Sequence, residues 1–329
     1  MAKRLHKSFA RLEIILERQA GPTRWLSAYQ PANMISDADV PRGTRPSELW
    51  DPYLQRYLQG QAITERPFLL LARHNPAVFD VHEQHMLPFN PAPHPLANHE
   101  TTRGLTLPGL RGTMAIFESL GCLNKHPTVR VLKTDVQKSQ KVRPFPFIGD
   151  ILPFLLDSQG SYAVNWSIKA SEEDFYRTFR SRYKPPSKED RERAELRHEI
   201  ERLLFLDGQI PTHKLHPGLI DETLRVNLLN LFYWYSREPQ NNAVRERQAE
   251  ITAWYGDQLS RNRVMFDLAK EAATYFKLDI HDAKWVLKTA IFLRHLRVDL
   301  FRIVSDNLPL HPEVDDPFVR YADWFRRSA

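Results

Sequence analysis

Two neighbouring stretches of the sequence decide the fold: "IGDILPFLL", residues 148–156, and "SYAVNWSIKAS", residues 161–171. Both predict β-strands. In the second, alternation gives one apolar face, made of Val164, Trp166 and Ile168, and one more polar face, made of Ala163, Asn165, Ser167 and Lys169. An edge strand with one wetted face would explain this pattern. The other explanation is that Lys169 and the preceding Asp150 both point into a functional site.

The spacing around Lys169 suits metal-dependent cleavage of phosphodiester bonds. That chemistry needs one or two carboxylates to hold Mg²⁺, and a lysine that positions water and offsets charge on the phosphate. Asp150 begins one strand, and Ser167 and Lys169 lie two residues apart on the next, with Ile168 as the buried spacer. Glu65, on an upstream helix, would be an extra carboxylate. The alternative is that these residues are solvated charges on a strand.

The composition indicates a globular chain with a preference for polyanions. A length of 329 residues suits two domains. A net charge of +6 and a pI of 9.3 favour a polyanionic partner such as DNA. The single cysteine, Cys122, allows no disulfide within the chain and fits a reducing, intracellular compartment. No apolar run reaches the roughly 18–20 residues of a membrane span, so we expect no membrane partner.

Local patterns predict the elements around these strands. "TERPFLLLARH", residues 64–74, has apolar residues at helical spacing, and "PAVFDVHEQHML", residues 76–87, alternates like a strand. Ser187, with Asp190 three residues later, marks the start of a charged helix that ends at Gly208.

Three longer segments predict the wider organisation. Residues 1–60 predict an irregular arm, and the proline-rich residues 88–113 predict a long insertion. Residues 264–304 predict two helices, a short turn near Asp279–His281 and a β-like tail, which is the outline of a winged helix-turn-helix. An ordinary pair of packed helices is the alternative.

Basic and histidine-containing segments offer further candidates. A basic run before Asp150 could be a track for DNA phosphates or simply a solvated face: Lys133, Lys138, Lys141 and Arg143. Several histidines lie in or beside the insertion without the paired spacing of a zinc site: His82, His85, His94, His99 and His126. Glu83 and Gln84 are expected to brace the helix that carries Glu65, with DNA contact as the alternative.

Residues 22–236 resemble the TnsA family, the endonuclease subunit of heteromeric cut-and-paste transposons. The stretches that carry the resemblance occur in the family's order and at nearly its spacing, apart from one insertion: "RWLSAY", "DVPRGTR", "TERPFLLL", "VFDVHEQHML", "LGCLNKHP", "GDILPFLL", "VNWSIKAS", "HEIERLLFLDGQIP" and "LRVNLLNLFYWYS". Among them, "VFDVHEQHML" is similar to the family's V-x-D-I-R-E-Q-x-P-L strand, "GDILPFLL" to its T-D-F-L strand and "VNWSIKAS" to its Q-V-K strand.

The resemblance implies an α/β chain with a restriction-endonuclease-like catalytic domain over residues 1–217 and a mainly helical, winged-helix domain over residues 218–329. It implies an Mg²⁺-dependent endonuclease, with Mn²⁺ as a substitute, that cuts the 5′ strand ends of the transposon. A DDE transposase (TnsB-like) would cut the 3′ ends, and an AAA+ regulator (TnsC-like) would bind the C-terminal domain. The protein would be cytoplasmic, prokaryotic and associated with double-stranded DNA.

The resemblance also implies roles for individual residues. Glu65, Asp150 and Lys169 take the family's catalytic positions, with Ser167 assisting. The metal ligands would be Glu65, Asp150, Glu201 and the backbone carbonyl of Ile168.

Two residues depart from the family pattern: Ser167 stands where Gln or Glu is more usual, and Asn75 stands where an acidic residue is expected. A hydroxyl is a poorer metal ligand than a carboxylate, so a non-catalytic adaptor joining transposase, DNA end and regulator is the alternative function. A basic winged-helix regulator outside transposition is a third hypothesis. Asp135 competes with Asp150 for the T-D-F-L match, and we favour Asp150 because it begins an apolar strand 19 residues before Lys169.

Overall fold

The computed structural model describes residues 8–36, 45–131, 141–178 and 185–327. Its centre is a mixed five-stranded sheet with helices on both faces. The chain therefore has the mixed α/β architecture that the sequence predicts.

The central sheet has the strand order β11-β10-β8-β3, with β9 paired to β8. Strands β10 and β11 run parallel, and the other neighbours run antiparallel. Three separate two-stranded sheets pair β1 with β2, β4 with β7 and β5 with β6. The strands are β1 (Ser47–Asp51), β2 (Arg56–Gly60), β3 (Val78–Glu83), β4 (Met86–Leu87), β5 (Thr128–Val131), β6 (Lys141–Pro144), β7 (Phe147–Ile148), β8 (Ile151–Asp157), β9 (Gly160–Ala163), β10 (Asn165–Ile168) and β11 (Thr212–Leu215).

The helices cover the sheet and build the C-terminal half of the chain. They are α1 (Phe9–Gln19), α2 (Arg66–His74), α3 (Thr113–Ser119), α4 (Lys188–Asp207), α5 (Glu222–Tyr235), α6 (Ala243–Glu246), α7 (Gln248–Leu259), α8 (Met265–Phe276), α9 (Ile280–Phe292), α10 (Pro317–Arg320) and α11 (Ala322–Phe325). Within the described ranges, none of these helices is both long enough and apolar enough to cross a membrane.

The stretch 161–171 forms strands whose two faces are those that the alternation predicts. Val164, Trp166 and Ile168 are buried in the core that includes α2, and Ala163 belongs to the core on the opposite face, with α3 and α4. The prediction of a single strand is wrong, because Val164 interrupts it and separates β9 from β10. Its N–H donates to the carbonyl of Pro153 at 3.1 Å, between the pairings of β9 and β10.

The predicted irregular arm over residues 1–60 is wrong in two places. Helix α1 begins after Ser8, whose hydroxyl accepts a hydrogen bond from the N–H of Arg11 at 3.1 Å. Strands β1 and β2 form an antiparallel hairpin. The sequence pattern does not predict β2, because this strand buries a charged residue, Arg56. Nη1 of Arg56 lies 2.7 Å from the carboxylate of Glu83.

The other elements around the sheet are confirmed. Helix α2 and strand β3 occupy the predicted stretches. Helix α4 has the predicted capping box: the Ser187 hydroxyl accepts from the N–H of Asp190 at 3.1 Å, and the Asp190 carboxylate accepts from the N–H of Ser187 at 3.2 Å. Residues 88–112, all of them described, form a long connection without an α-helix or a strand.

In the C-terminal half, the helix pair is confirmed and the β-like tail is wrong. Asp279 caps α9, since its carboxylate accepts from the N–H of His281 at 2.7 Å. Residues 293–316, all described, contain no strand, and only isolated bridges join Val298 to Pro312 and Val264 to Pro309. Proline lacks the N–H that would extend such a bridge into a ladder.

The last described residues return to the central sheet and cover the back of β10. The indole N–H of Trp166 donates to the carbonyl of Trp324 at 2.8 Å, and the ring of Phe325 lies 5.1 Å from that of Trp166. The hydroxyl of Tyr162, on β9, donates to the carbonyl of Phe325 at 2.9 Å. We call residues 317–327 the C-terminal cover.

One hydrophobic core runs across the predicted domain boundary at residue 217. It joins side chains of α2, β8 and β10 to those of α5, α7, α8 and α9. A buried hydrogen bond of 2.6 Å also joins Nδ1 of His74, at the end of α2, to the carbonyl of Phe292, at the end of α9. The division into two domains and the winged-helix fold stay predictions.

Candidate active site

Asp150 and Lys169 lie together where two neighbouring strands of the central sheet end. Asp150 directly precedes β8, Lys169 directly follows β10, and these strands are antiparallel neighbours. The carboxylate Oδ2 of Asp150 accepts from the N–H of Ile168 at 2.6 Å and from Nζ of Lys169 at 3.1 Å. Nζ of Lys169 also donates to the carbonyl of Ile168 at 2.8 Å. The predicted pair is therefore one hydrogen-bonded unit.

Glu65 joins this unit through Gln84. Glu65 is the N-cap of α2, and its Oε2 accepts from the N–H of Gln61 at 3.1 Å and from Nε2 of Gln84 at 3.2 Å. The N–H of Gln84 donates to the carbonyl of Asp150 at 2.8 Å. Gln84 has a left-handed φ of 50°, which is uncommon for a residue other than glycine. These bonds are the bracing role predicted for Gln84.

Ser167 and Glu201 lie beside the unit but do not bond to it. The Ser167 hydroxyl is 3.5 Å from Nδ1 of His198, on α4. Glu201, one turn further along α4, is buried, and its Oε1 accepts from Nδ2 of Asn165 at 3.0 Å. Burial raises the pKa of Glu201, the charge of Arg197 opposes the shift, and the charge of Asp150 adds to it. Glu201 is therefore within electrostatic reach of the site.

Glu65 and Asp150 have opposite pKa shifts. Burial raises the pKa of Glu65 to about 8, and the charge of Asp150 adds to the increase. Burial also acts to raise the pKa of Asp150, but the charges of Lys169 and Arg197 outweigh it and hold that pKa below its ordinary value. At neutral pH, Asp150 carries a negative charge and Glu65 holds a proton.

The oxygen atoms of Glu65 and Asp150 fit a hard divalent cation. Among the described residues, no three His, Cys, Asp or Glu side chains form a metal-binding group. Mg²⁺ needs fewer protein ligands, since it usually binds one or two carboxylates and keeps several waters. Asp150 Oδ1 and Glu65 Oε1 accept no hydrogen bond from any residue that the structure describes. Glu65 is buried, Asp150 is half-buried, and the charge of Asp150 disfavours the charged form of Glu65, so a cation bound between them would neutralise both.

The other candidate residues have different outcomes. Lys133, Lys138 and Asp135 lie outside the described residues, as does the side chain of Lys141 at the start of β6. Arg143 is described, and its guanidinium lies 5.8 Å from the ring centre of Phe9, on α1. The histidines form no metal group among the described residues.

Two basic residues near Asp150 escaped the sequence analysis. Arg197 lies on α4, one turn before Glu201, and its Nη2 donates to the carbonyl of Ile148 at 2.8 Å. Lys214 lies on β11, next to β10. The sequence could have indicated Arg197, because it lies four residues before Glu201 and therefore on the same face of α4. Lys214 had no local signal, because only the pairing of β10 with β11 brings it to the site.

In comparisons with known proteins, no family model matches the sequence and no curated protein matches it either. Any function for the chain must therefore be argued from the residues around Asp150.

Proposed function

We propose that this chain is an Mg²⁺-dependent DNA endonuclease of a transposition machinery, similar in type to TnsA, that cleaves the 5′ strand ends of a transposon. The hydrogen-bonded unit of Asp150, Ile168 and Lys169, linked through Gln84 to Glu65, is the observation that carries the proposal. Perturbed carboxylates that converge with a lysine are typical of catalytic sites.

Each residue of the site has a role in the proposed reaction. Glu65 and Asp150 would hold Mg²⁺, with Glu201 and the carbonyl of Ile168 as further oxygen donors. The ion would polarise the phosphate and help to generate the nucleophile. Lys169 would orient the attacking water and stabilise negative charge on the phosphate, while Ser167 would assist from the neighbouring position. Gln84 would keep Glu65 oriented toward Asp150.

The proposal includes a fold and a set of partners. The half with the sheet would be restriction-endonuclease-like, and the helical half would be a winged-helix domain that binds an AAA+ regulator (TnsC-like). A DDE transposase (TnsB-like) would cut the other strand. The net charge of +6 supports double-stranded DNA as the substrate. The location would be cytoplasmic and DNA-associated, in a prokaryotic cell, as the resemblance to the TnsA family implies.

A non-catalytic adaptor is the second candidate, and the surroundings of Ser167 favour it. Ser167 is 2% exposed, and its hydroxyl lies 3.5 Å from Nδ1 of His198, so it offers little to a metal ion. An adaptor would keep the transposase, the DNA end and the regulator together without cutting.

Strand-specific cleavage by an Asp150→Asn variant separates these functions. The assay uses the full chain with its transposase and regulator on a duplex that carries a transposon end. We expect Asp150→Asn to lose 5′-strand cleavage by at least about a hundredfold, because the metal ligand and the partner of Lys169 are both weakened. Asp207→Asn, which removes a half-buried carboxylate paired with Arg111, is the matched control and should cut normally.

Soaking crystals in Mn²⁺ gives an independent readout by anomalous scattering. A peak between Glu65 and Asp150 supports the nuclease. If Asp150→Asn cuts the 5′ strand at the wild-type rate, the assignment of the site is refuted. If the chain supports transposition but binds no Mn²⁺, the adaptor is favoured.

A further inference from the structure

Lys214 lies beside the proposed active site, and the proposed reaction does not use it. In the parallel pairing of β10 with β11, Lys214 is in register with Ser167. Residues in register across a sheet present their side chains to the same face. Lys214 is therefore on the face that carries Ser167 and Lys169, one strand further out, and it is exposed.

The ammonium groups of Lys214 and Lys169 share one aromatic ring. Nζ of Lys214 lies 5.7 Å from the ring centre of Phe175, and Nζ of Lys169 lies 5.9 Å from it. Phe175 is buried, so its ring is a fixed support for both cations. Such cation–π contacts offset part of the repulsion between like charges.

Arg197 is a third cation, on the other side of Asp150. Its hydrogen bond to Ile148 places the guanidinium before the start of β8, whereas Lys214 lies beyond β10. Arg197 also contributes to lowering the pKa of Asp150. Its Nε is buried without a hydrogen-bond partner among the described residues.

The three cations also face carboxylates: the charge of Arg197 acts on Glu201, and that of Lys214 acts on Glu199. Among the described residues, Lys169 pairs with Asp150, and neither Lys214 nor Arg197 pairs with a carboxylate. Burial lowers the pKa of His198 to about 3, and the charges of Lys169, Arg197 and Lys214 all add to that decrease. Lys214 and Arg197 thus place a cation that pairs with no carboxylate of the described residues on each side of Asp150, which suits an anionic ligand with several charges.

We propose that Lys214 and Arg197 bind the DNA backbone phosphates that flank the scissile phosphate. The inference rests on the proposed function, because the cut phosphate would lie at Lys169. The DNA strand would run across the ends of β8 and β10, from Ile148 toward β11. Arg197 would bind the backbone on one side of Asp150, and Lys214 would bind it on the other. Phosphate contacts of this kind fix the register of the strand without reading its sequence.

The first test measures DNA binding by the full chain in EDTA, where no cleavage occurs. We compare Lys214→Gln with Lys188→Gln, which removes the same charge from a 92% exposed lysine at the start of α4. One phosphate contact contributes a slope of about 0.9 to the dependence of log K on log salt. Lys214→Gln should therefore reduce the loss of affinity between about 50 and 200 mM salt by about 3.5-fold, and Lys188→Gln should not.

The second test locates the contact on the DNA. Methylphosphonate linkages, which are uncharged, are placed singly along the strand, and wild type is compared with Lys214→Gln on each duplex. One position should weaken wild type and leave Lys214→Gln unaffected, and that position should adjoin the cleavage site.

The inference is overturned if both lysine variants change the salt dependence equally, or if no methylphosphonate position removes the difference between wild type and Lys214→Gln. These outcomes are independent of the Asp150→Asn cleavage assay. If Lys214→Gln binds DNA with the salt dependence of wild type while Asp150→Asn loses cleavage, the proposed phosphate contact is refuted and the proposed nuclease function stands.

Discussion

At the scale of single residues, Glu65 determines when the proposed site can bind a cation. Its pKa of about 8 means that the carboxyl group is mostly protonated at neutral pH. A metal ion binds the deprotonated form, so binding must release the proton. Below the pKa of Glu65, each unit of rising pH should raise the affinity for Mg²⁺ about tenfold.

Calorimetry of Mg²⁺ binding in buffers of different ionisation heat checks this prediction. Close to one proton should leave per ion at pH 7, and the number should fall toward zero above pH 9. Glu199→Gln, an exposed carboxylate paired with Arg202, should keep the release, whereas Glu65→Gln should remove it. Binding to wild type without proton release would show that Glu65 is not a ligand.

The same shift sets the stability of the metal-free protein. The folded pKa of Glu65 is raised above its unfolded value of 4.5, so the folded state binds more protons than the unfolded state between the two values. The contribution of Glu65 to the free energy of unfolding is then fully present below pH 4.5 and lost as pH rises toward about 8. Bound Mg²⁺ would restore it.

At the scale of elements, α4 brings Arg197, His198 and Glu201 to the sheet, and its start is fixed by the capping box. Ser187→Ala removes the hydroxyl that accepts from the N–H of Asp190. We expect a loss of about 1 kcal/mol in the free energy of unfolding, measured by urea denaturation. Ser260→Ala, at the exposed end of α7, is the control and should change stability by less than about 0.5 kcal/mol. An equal loss in both variants would contradict the cap.

The elements that the sequence predicts are those with local signals. Apolar residues at helical spacing reveal α2, a capping box reveals α4, and the turn near Asp279–His281 separates α8 from α9. Buried charge conceals β2, because Arg56 is satisfied by Glu83, a partner from β3 that no local pattern shows. The same limit applies to the site: Asp150 and Lys169 follow from strand position and spacing, whereas Lys214 needs the pairing of β10 with β11.

At the scale of the whole molecule, the C-terminal cover joins the helical half to β10, the strand that leads to Lys169. Phe325 is 6% exposed and packs against Trp166 and Phe318. Phe325→Ala should cost about 3–5 kcal/mol of unfolding free energy and reduce hydrogen-exchange protection of the amides of β10. Val319→Ala, in the same segment and 76% exposed, should leave both unchanged. Loss of stability with full protection of β10 would show that the cover does not support that strand.

The cover also imposes an order on the making of the protein. Trp324 follows Trp166 by 158 residues, so a ribosome must synthesise the entire helical half before the strand that leads to Lys169 has a covered back. A product that stops early carries every proposed catalytic residue, but its Trp166 lacks the carbonyl of Trp324 and the ring of Phe325. In the proposed endonuclease, the strand that leads to Lys169 would reach its native packing only after residues 317–327 have left the ribosome.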